Sequence, residues 1–227
     1  MKTISKKDEY LTKIIHDLKT PTIAQIKALE SFLVTCSNKI SQEEVDLIKL
    51  TLSSCNYMHK LIDIFTSVHK LNYEKINLTY ENFDIVKLAK DVCLELGILL
   101  KYRKLEYEFI CPDEIMINAD KLQLQRVIEN IFSNCINHSF PNSKIIVYVF
   151  EKDNNLIFKV KNSSSYIKKE ILSEIFEKFK TYPSAYNKAG VGLGLYLSRE
   201  IIKAHSGKIF AKSYPENINV FGFEIPI

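Results

Sequence analysis

Two stretches near the amino terminus constrain this chain more than any other feature. From Lys6 to about Ser37 the apolar residues Leu11, Ile14, Ile15, Leu18, Ile23, Ile26, Leu29 and Leu33 recur at steps of three and four, the spacing of one apolar stripe on an α-helix. A polar break at Ser37-Asn38-Lys39 leads to a second run, in which Val45, Ile48, Leu52, Cys55, Ile62 and Phe65 carry the same pattern to about Lys70. Ser41 and Glu44 have the spacing of a capping box and mark where that second helix begins. Two long helices joined by so short a turn lie antiparallel. Their apolar stripe is too wide for one partner to cover, so the expectation is an all-α helical hairpin that pairs with a second copy into a four-helix bundle.

After Leu71-Asn72-Tyr73 the periodicity changes and strand-like segments alternate with helical ones. A domain boundary is expected there, with residues 1–75 as the hairpin and 76–227 as a second domain. The expected elements are a strand over 77–83, a helix from Asp84 to about Lys101, a strand over 105–111 and a helix from Ala119 or Asp120 to His138. Two strands over 144–151 and 155–161, a helix over 194–206 and a closing strand pair near 208–213 and 219–225 complete them. One sheet backed by helices, an α+β sandwich, accommodates this order. The stretch Thr181 to Gly190 reads as the one long loop.

Apolar residues make up 46% of the 227, enough for packed cores. The longest apolar runs, such as Ile145 to Phe150, fall well short of the roughly 20 residues a membrane helix needs, and MKTISKKDEY has no apolar signal region. The expectation is a chain with no membrane segment, placed in the cytoplasm. Five cysteines stand far apart with no CxxC spacing, which argues for reduced thiols rather than disulfides or zinc. The net charge of +4 is small and its lysines are interleaved with acids, so no nucleic-acid partner is expected.

At about 100° per residue, His16 and Thr20 fall on the solvent face of the first helix and Asp17 on its flank. A carboxylate there can take a proton from one imidazole nitrogen while the other attacks an electrophile. Pro21 removes one helical hydrogen bond and is expected to kink the helix just beyond. An exposed histidine alone is an ordinary surface residue; its neighbours decide the matter. The run His16-Asp17-Leu18-Lys19-Thr20-Pro21 resembles the H-box of sensor histidine kinases, His-Asp/Glu-x-x-Thr-Pro, in the first helix of a hairpin where that family carries it. The resemblance implies that His16 is the phosphoacceptor, Asp17 its base, and Thr20 the residue that positions water for dephosphorylating a partner regulator.

Further along, Asn130, Asn134 and Asn137 lie on one helix, with Asn130 and Asn134 pointing the same way. Aligned amide oxygens suit hydrated Mg²⁺, a cation that prefers hard oxygen ligands. Ala189-Gly190-Val191-Gly192-Leu193-Gly194-Leu195 is a glycine-rich loop entering a helix, where free N–H groups can cradle phosphate. A dinucleotide fingerprint would instead follow the first strand of a βαβ unit. These segments resemble the remaining histidine kinase boxes: Asn130 to Ser139 the N-box, Ile175-Phe176-Glu177-Lys178-Phe179 the F-box, Gly190 to Leu195 the G2 box. The ending through His205 to Pro226 is also similar to the family's, which makes His205 a structural residue, as His59 and His69 are.

The resemblance implies a GHKL (Bergerat) ATP-binding fold for the second domain. It implies an ATP site formed by Asn130, Asn134, Asn137, His138, Asn162, Ile167, Phe176, Lys178, Phe179, Gly190, Gly192, Leu193, Gly194 and Leu195, with Asn130 on Mg²⁺ and the 180–190 loop as a lid. Gyrase and Hsp90 relatives have Glu where Asn130 stands; Asn cannot accept that proton, so ATP is kept for His16 rather than hydrolysed. Two departures stand out. The family's G1 box, Asp-x-Gly-x-Gly, here reads Asn162-Ser163-Ser164-Ser165-Tyr166, and Asn137-His138 replace Lys-Tyr. The implied activity is that of a two-component kinase: a homodimeric phosphoprotein that autophosphorylates on His16, transfers to a response-regulator receiver aspartate in a phosphorelay, and dephosphorylates that regulator. The alternative is a phosphotransfer protein whose second domain has lost ATP. Little precedes the first helix, so a soluble short kinase and an excised core both fit.

Overall fold

The computed structural model describes residues 6–36, 39–71, 73–181 and 191–227. It comprises two compact units, Met1–Glu74 and Lys75–Ile227. In the first, α1 (Lys6–Cys36) and α2 (Gln42–Lys70) form the hairpin. The capping box closes as expected: Ser41 N–H donates to Glu44 Oε2 at 2.8 Å, and Glu44 N–H donates to Ser41 Oγ at 3.3 Å. The backbone N–H of Ser41, and then its hydroxyl donating to Glu44 Oε2 at 2.9 Å, hold the Glu44 carboxyl below its ordinary pKa. Helix α1 is a single element through Pro21. On either side of it the Thr20 and Thr22 hydroxyls donate to the carbonyls of His16 and Leu18, at 3.2 and 2.8 Å.

Ile15, Thr22, Val45, Cys55 and Val68 are the buried side chains of the described hairpin, while Ile14, Leu18, Phe32, Leu47, Leu50, Tyr57 and Met58 remain exposed. Lys19 Nζ on α1 donates to Asp63 Oδ1 on α2 at 2.7 Å and ties the helices one turn beyond His16. Exposed to this degree, that pair contributes well under about 1 kcal/mol.

The second unit is built on a five-stranded sheet. Its strands are β2 (Glu106–Ile110), β4 (Lys144–Lys152), β5 (Asn155–Ser163), β6 (Lys208–Tyr214) and β7 (Ile218–Pro226), in the order β2-β4-β5-β7-β6. Only β2 and β4 run parallel. Period-two alternation gives the sheet one sealed face: Ile145, Val147 and Val149 on β4, Leu156, Phe158 and Val160 on β5, Phe223 and Ile225 on β7. Against it pack α5 (Lys121–His138), through Leu124, Val127, Ile128, Ile131 and Phe132, and α7 (Gly194–Ala204), through Leu197, Ile201 and Ile202. Each large side chain buried this completely contributes on the order of 1.5–3 kcal/mol.

Several expected elements differ. The strand expected over 77–83 is β1, Glu81–Asp84. The helix expected to reach Lys101 is two, α3 (Ile85–Glu95) and α4 (Gly97–Tyr102), broken at Leu96 just before Gly97. A strand absent from the expectation, β3 (Met116–Ala119), pairs with β1 in a separate two-stranded sheet, so the unit has two sheets rather than one. Asp84 explains this corner, because its carboxylate accepts from Val86 N–H as the cap of α3 and from Ile115 N–H beside β3, at 2.9 and 3.1 Å. The short α6 (Lys169–Glu174) was also unexpected; it buries none of its residues and so leaves no apolar period to read. Near the end of α7, Ser206 takes a left-handed φ of 59°, and Gly207 N–H returns to Ile202 O at 2.9 Å. Any Cβ at Gly207 would stand 2.2 Å from Glu224 O, so only glycine fits there.

Candidate functional site

In the hairpin, His16 lies on the exposed face of α1, with side-chain exposures of 78% for His16 and 63% for Asp17. Its Nδ1 faces Asp17 Oδ1 at 3.4 Å. That leaves Nε2 as the outward nitrogen, the one able to attack an incoming electrophile while Nδ1 releases its proton to the neighbouring carboxylate. The Thr20 hydroxyl sits one turn on and bonds back to the His16 carbonyl. His59 Nδ1 faces Asp63 Oδ2 on α2 at 3.4 Å.

In the second unit, helix α5 and the loop entering α7 meet through Asn130. Its Nδ2 donates to Ser198 Oγ at 2.9 Å, and Ser198 in turn donates to Gly194 O at 3.1 Å. With the nitrogen so engaged, Asn130 offers its amide oxygen, and a Cβ at Gly194 would stand 2.3 Å from that atom. A larger residue at 194 would therefore have to displace the Asn130 side chain. Gly192 is fixed differently: its φ is +71°, and a Cβ would come within 2.6 Å of Lys180 O. Phe179 N–H donates to Gly192 O at 2.9 Å, which joins the Ile175–Phe179 turn to the glycine loop. Leu193 begins α7 without any side-chain cap, so the first amides of this helix are not satisfied by a capping side chain. Lys178 Nζ lies over the Tyr196 ring at 4.9 Å, with Arg199 on the same ring at 5.2 Å. Arg199 also pairs with Glu177 and Glu200.

Asn162 is the last inward residue of β5 and stands opposite Asn219 of β7. Both are fully buried, at 1% and 0% exposure. The Asn162 amide nitrogen donates to Ser139 Oγ at 3.0 Å, to Ser164 Oγ at 3.2 Å and to Cys135 O at 3.4 Å, all close to the C-terminal end of α5. Its Oδ1 has no partner, nor has Asn219 Oδ1. A buried acceptor left so costs about 1–3 kcal/mol, a cost that a ligand bearing an N–H donor removes. An acceptor left open at this position fits a base that bears an amino group. Asn134, Asn137 and His138 are half-buried on α5. Arg103 Nη2 donates to the carbonyls of Asn137 and Ser139, both at 3.1 Å. Burial, and then the Arg103 charge, hold His138 below its ordinary pKa, so it is neutral near pH 7. Burial raises the Cys135 thiol far out of the reactive range.

Ile167, Phe176 and Phe179 lie between β5 and α7, and Leu195 is in the first turn of α7; Ile167 N–H donates to Ser213 Oγ at 2.8 Å. Gly190 and the rest of 182–190 lie outside the described residues. His205 is buried, with Nδ1 against Ile201 O at 2.9 Å and Nε2 accepting from Asp120 N–H at 3.2 Å. Among the described residues no cluster of three histidine, cysteine or acidic side chains could hold a metal, and no helix is long and apolar enough to cross a membrane. Sequence reasoning missed Ser198 and Asn219. The signal for Asn219 was an amide at a position that strand alternation sends to the core; for Ser198 it was a hydroxyl one turn beyond Gly194.

Residues 119–227 match the family of histidine kinase-, DNA gyrase B- and HSP90-like ATPases. Over 97% of its length the chain is 29% identical to the sensor protein VanS of Enterococcus faecium, of which it spans 57%. It is 26% identical to VanSC of Enterococcus gallinarum, of which it spans 61%. The chain thus covers about six tenths of these relatives. Among solved structures, the catalytic domain of the histidine kinase ThkA matches 65% of this chain and 95% of its own, at TM-score 0.59 and 27% identity. ThkA in complex with the response regulator TrrA matches 97% of this chain and 64% of its own, at TM-score 0.63 and 22% identity. ShkA in complex with AMPPNP shares the fold over 96% of this chain and 45% of its own, at TM-score 0.75 and 19% identity.

Proposed function

We propose that the chain is a histidine kinase catalytic core whose C-terminal unit is an ATPase domain of the histidine kinase-, gyrase- and HSP90-like kind, and that it phosphorylates its own His16 from ATP and passes the phosphoryl group to a response-regulator aspartate. The exposed His16–Asp17 pair carries this reading, because it leaves Nε2 free to attack and gives Nδ1 an acceptor for its proton. Nε2 forms the new bond to the γ-phosphorus, the bond to the β,γ-bridging oxygen breaks, ADP leaves, and Asp17 takes the Nδ1 proton. Mg·ATP supplies the γ-phosphoryl group and the charge that neutralises it. Asn130, turned oxygen-out by Ser198, holds Mg²⁺. Asn162 accepts from the base, and the Gly192–Leu195 turn and the start of α7 hold phosphate. Asn134, Asn137, His138, Ile167, Phe176, Lys178, Phe179 and Gly190 complete the site.

Residues 1–75 serve as the phosphoacceptor and dimerisation domain and 76–227 as the catalytic domain. The exposed apolar row of Ile14, Leu18, Leu47, Leu50 and Met58 supports pairing of two hairpins. Thr20 positions water when the phosphorylated regulator is the substrate, and the reaction belongs in the cytoplasm. The test is incubation with Mg²⁺ and γ-labelled ATP. An acid-labile, base-stable phosphoryl group is expected on the wild type and none on His16→Gln; label persisting on the variant overturns the assignment.

A further inference from the structure

The five-stranded sheet has a second face, on the side away from α5 and α7. There the register aligns Tyr148, Lys159, Gly222 and Phe210 in one row across β4, β5, β7 and β6, and Lys161, Val220 and Lys212 in the next. The side chains of both rows keep contact with solvent, whereas the inner face is sealed. We propose that this outer face is a docking surface for an anionic lipid bilayer, carried by Lys159, Lys161 and Lys212 on a floor of Tyr148, Phe150 and Phe210. The inference is independent of the ATP reading above.

The lysines of this face are of two kinds. Lys144 and Lys208, at its rims, pair with Glu108 at 2.7 Å and with Glu224 at 3.6 Å. Among the described residues no carboxylate stands within ion-pair distance of Lys159, Lys161 or Lys212. Strand spacing and strand rise put the roots of these three side chains about 7–12 Å from one another. Like charges gathered so closely without counter-charge raise the local potential and draw an anionic partner. Lys159 is also held in place, with Nζ over the Tyr148 ring at 4.6 Å and over the Phe150 ring at 5.2 Å. Phe210 reaches the same spot from β6: a Cβ at Gly222 would stand 2.8 Å from both Phe210 Cζ and Lys159 Cβ.

The chemistry favours a bilayer over other polyanions. Arg103, Arg126 and Arg199 all belong to the helical side of the unit, so the outer face has no guanidinium fork to grip a carboxylate or phosphate of fixed geometry. Lysines are hydrated point charges on flexible stems and suit mobile headgroups. Lys159 already covers the Tyr148 and Phe150 rings, which closes them to the stacked bases of a single-stranded nucleic acid. At headgroup depth the same rings and lysine stems stay where they are, with the ammonium groups outward. A pleated face is broad rather than grooved, and it meets an extended surface better than a single peptide segment. Asn130 and the start of α7 stand on the helical side, so docking on lipid leaves them uncovered.

The experiment is co-sedimentation of the full chain with vesicles of phosphatidylcholine alone and of phosphatidylcholine with about 30% phosphatidylserine. The wild type should partition onto the anionic vesicles only. Each of Lys159→Gln, Lys161→Gln and Lys212→Gln should lower that partition about fivefold, and the three together about a hundredfold. Raising the salt from about 0.05 to about 0.5 M should release the wild type. A control combining Lys87→Gln, Lys90→Gln and Lys203→Gln removes the same charge from exposed positions of α3 and α7, and it should stay within about twofold of the wild type. Circular dichroism verifies that both triple variants fold. Equal losses in the two triple variants would mean that net charge and not this face binds lipid, which overturns the proposal, as does a wild type indifferent to phosphatidylserine. Polyuridylate or polyglutamate bound through the three lysines, with vesicles left unbound, gives the face to a polymer and overturns it too.

Discussion

The two units of this chain bury their apolar residues to very different extents. In the sandwich, Leu156, Phe158 and Val160 of one strand and Ile128, Ile131 and Phe132 of the facing helix are all sealed, and the Phe158 and Phe223 rings stack at 5.3 Å. In the described hairpin the buried apolar side chains are Ile15, Val45, Cys55 and Val68, and a longer row stays in solvent. A sheet with helices across one face can complete a core within one chain. Two helices touch along a single seam, so the far sides of their stripes are left for another surface. The sandwich therefore completes its core within the unit, whereas the described hairpin leaves apolar side chains in solvent.

Breaking the finished core should give the largest effect. Phe158→Ala should cost the sandwich about 3–5 kcal/mol, read as a lower midpoint of its unfolding in urea, with nucleotide binding lost in parallel. A smaller effect comes with acid. The folded pKa of His138 is held below the ordinary 6.5, so on acidification the unfolded chain takes up its proton first. The stabilising contribution is full above 6.5 and is lost as pH falls through the folded value. Urea midpoints of wild type and His138→Asn should diverge above that window and converge below it. The smallest expected change sharpens the contrast: in a lone hairpin, the exposed Leu50→Ser should alter stability by no more than about 0.5 kcal/mol. Measured at increasing protein concentration, a growing penalty for Leu50→Ser would show that a second copy covers that row.

How much of this was legible in the sequence depended on whether a pattern was local. The hairpin was readable because periodicity and the Ser41–Glu44 box act within a few residues, and both helices end within one residue of where the pattern put them. The glycine loop and the Asn130 helix were readable for the same reason. Strand β3 was not, since Asp84 organises that corner by bonding to Ile115, distant in sequence. The G1 segment was legible as a departure from a pattern, but its buried hydrogen bonds were not. Ser139, Ser164 and Asn219 come together only when α5, β5 and β7 pack.

By itself the sequence determined where the two long helices of the hairpin and the Asn130 helix lie, where the character of the chain changes, and that His16 shares the solvent face with Thr20 while Asp17 flanks it, because helical geometry fixes direction from spacing alone. The tertiary structure decided the rest: that Gly192 must be glycine because its φ is +71° and Lys180 O occupies the space beside it, and that the Asn162 amide nitrogen is bound by Cys135 O, Ser139 and Ser164. Those are relations between elements far apart in the chain. Packing distance and hydrogen-bond direction settle them, and neither is written in the order of residues.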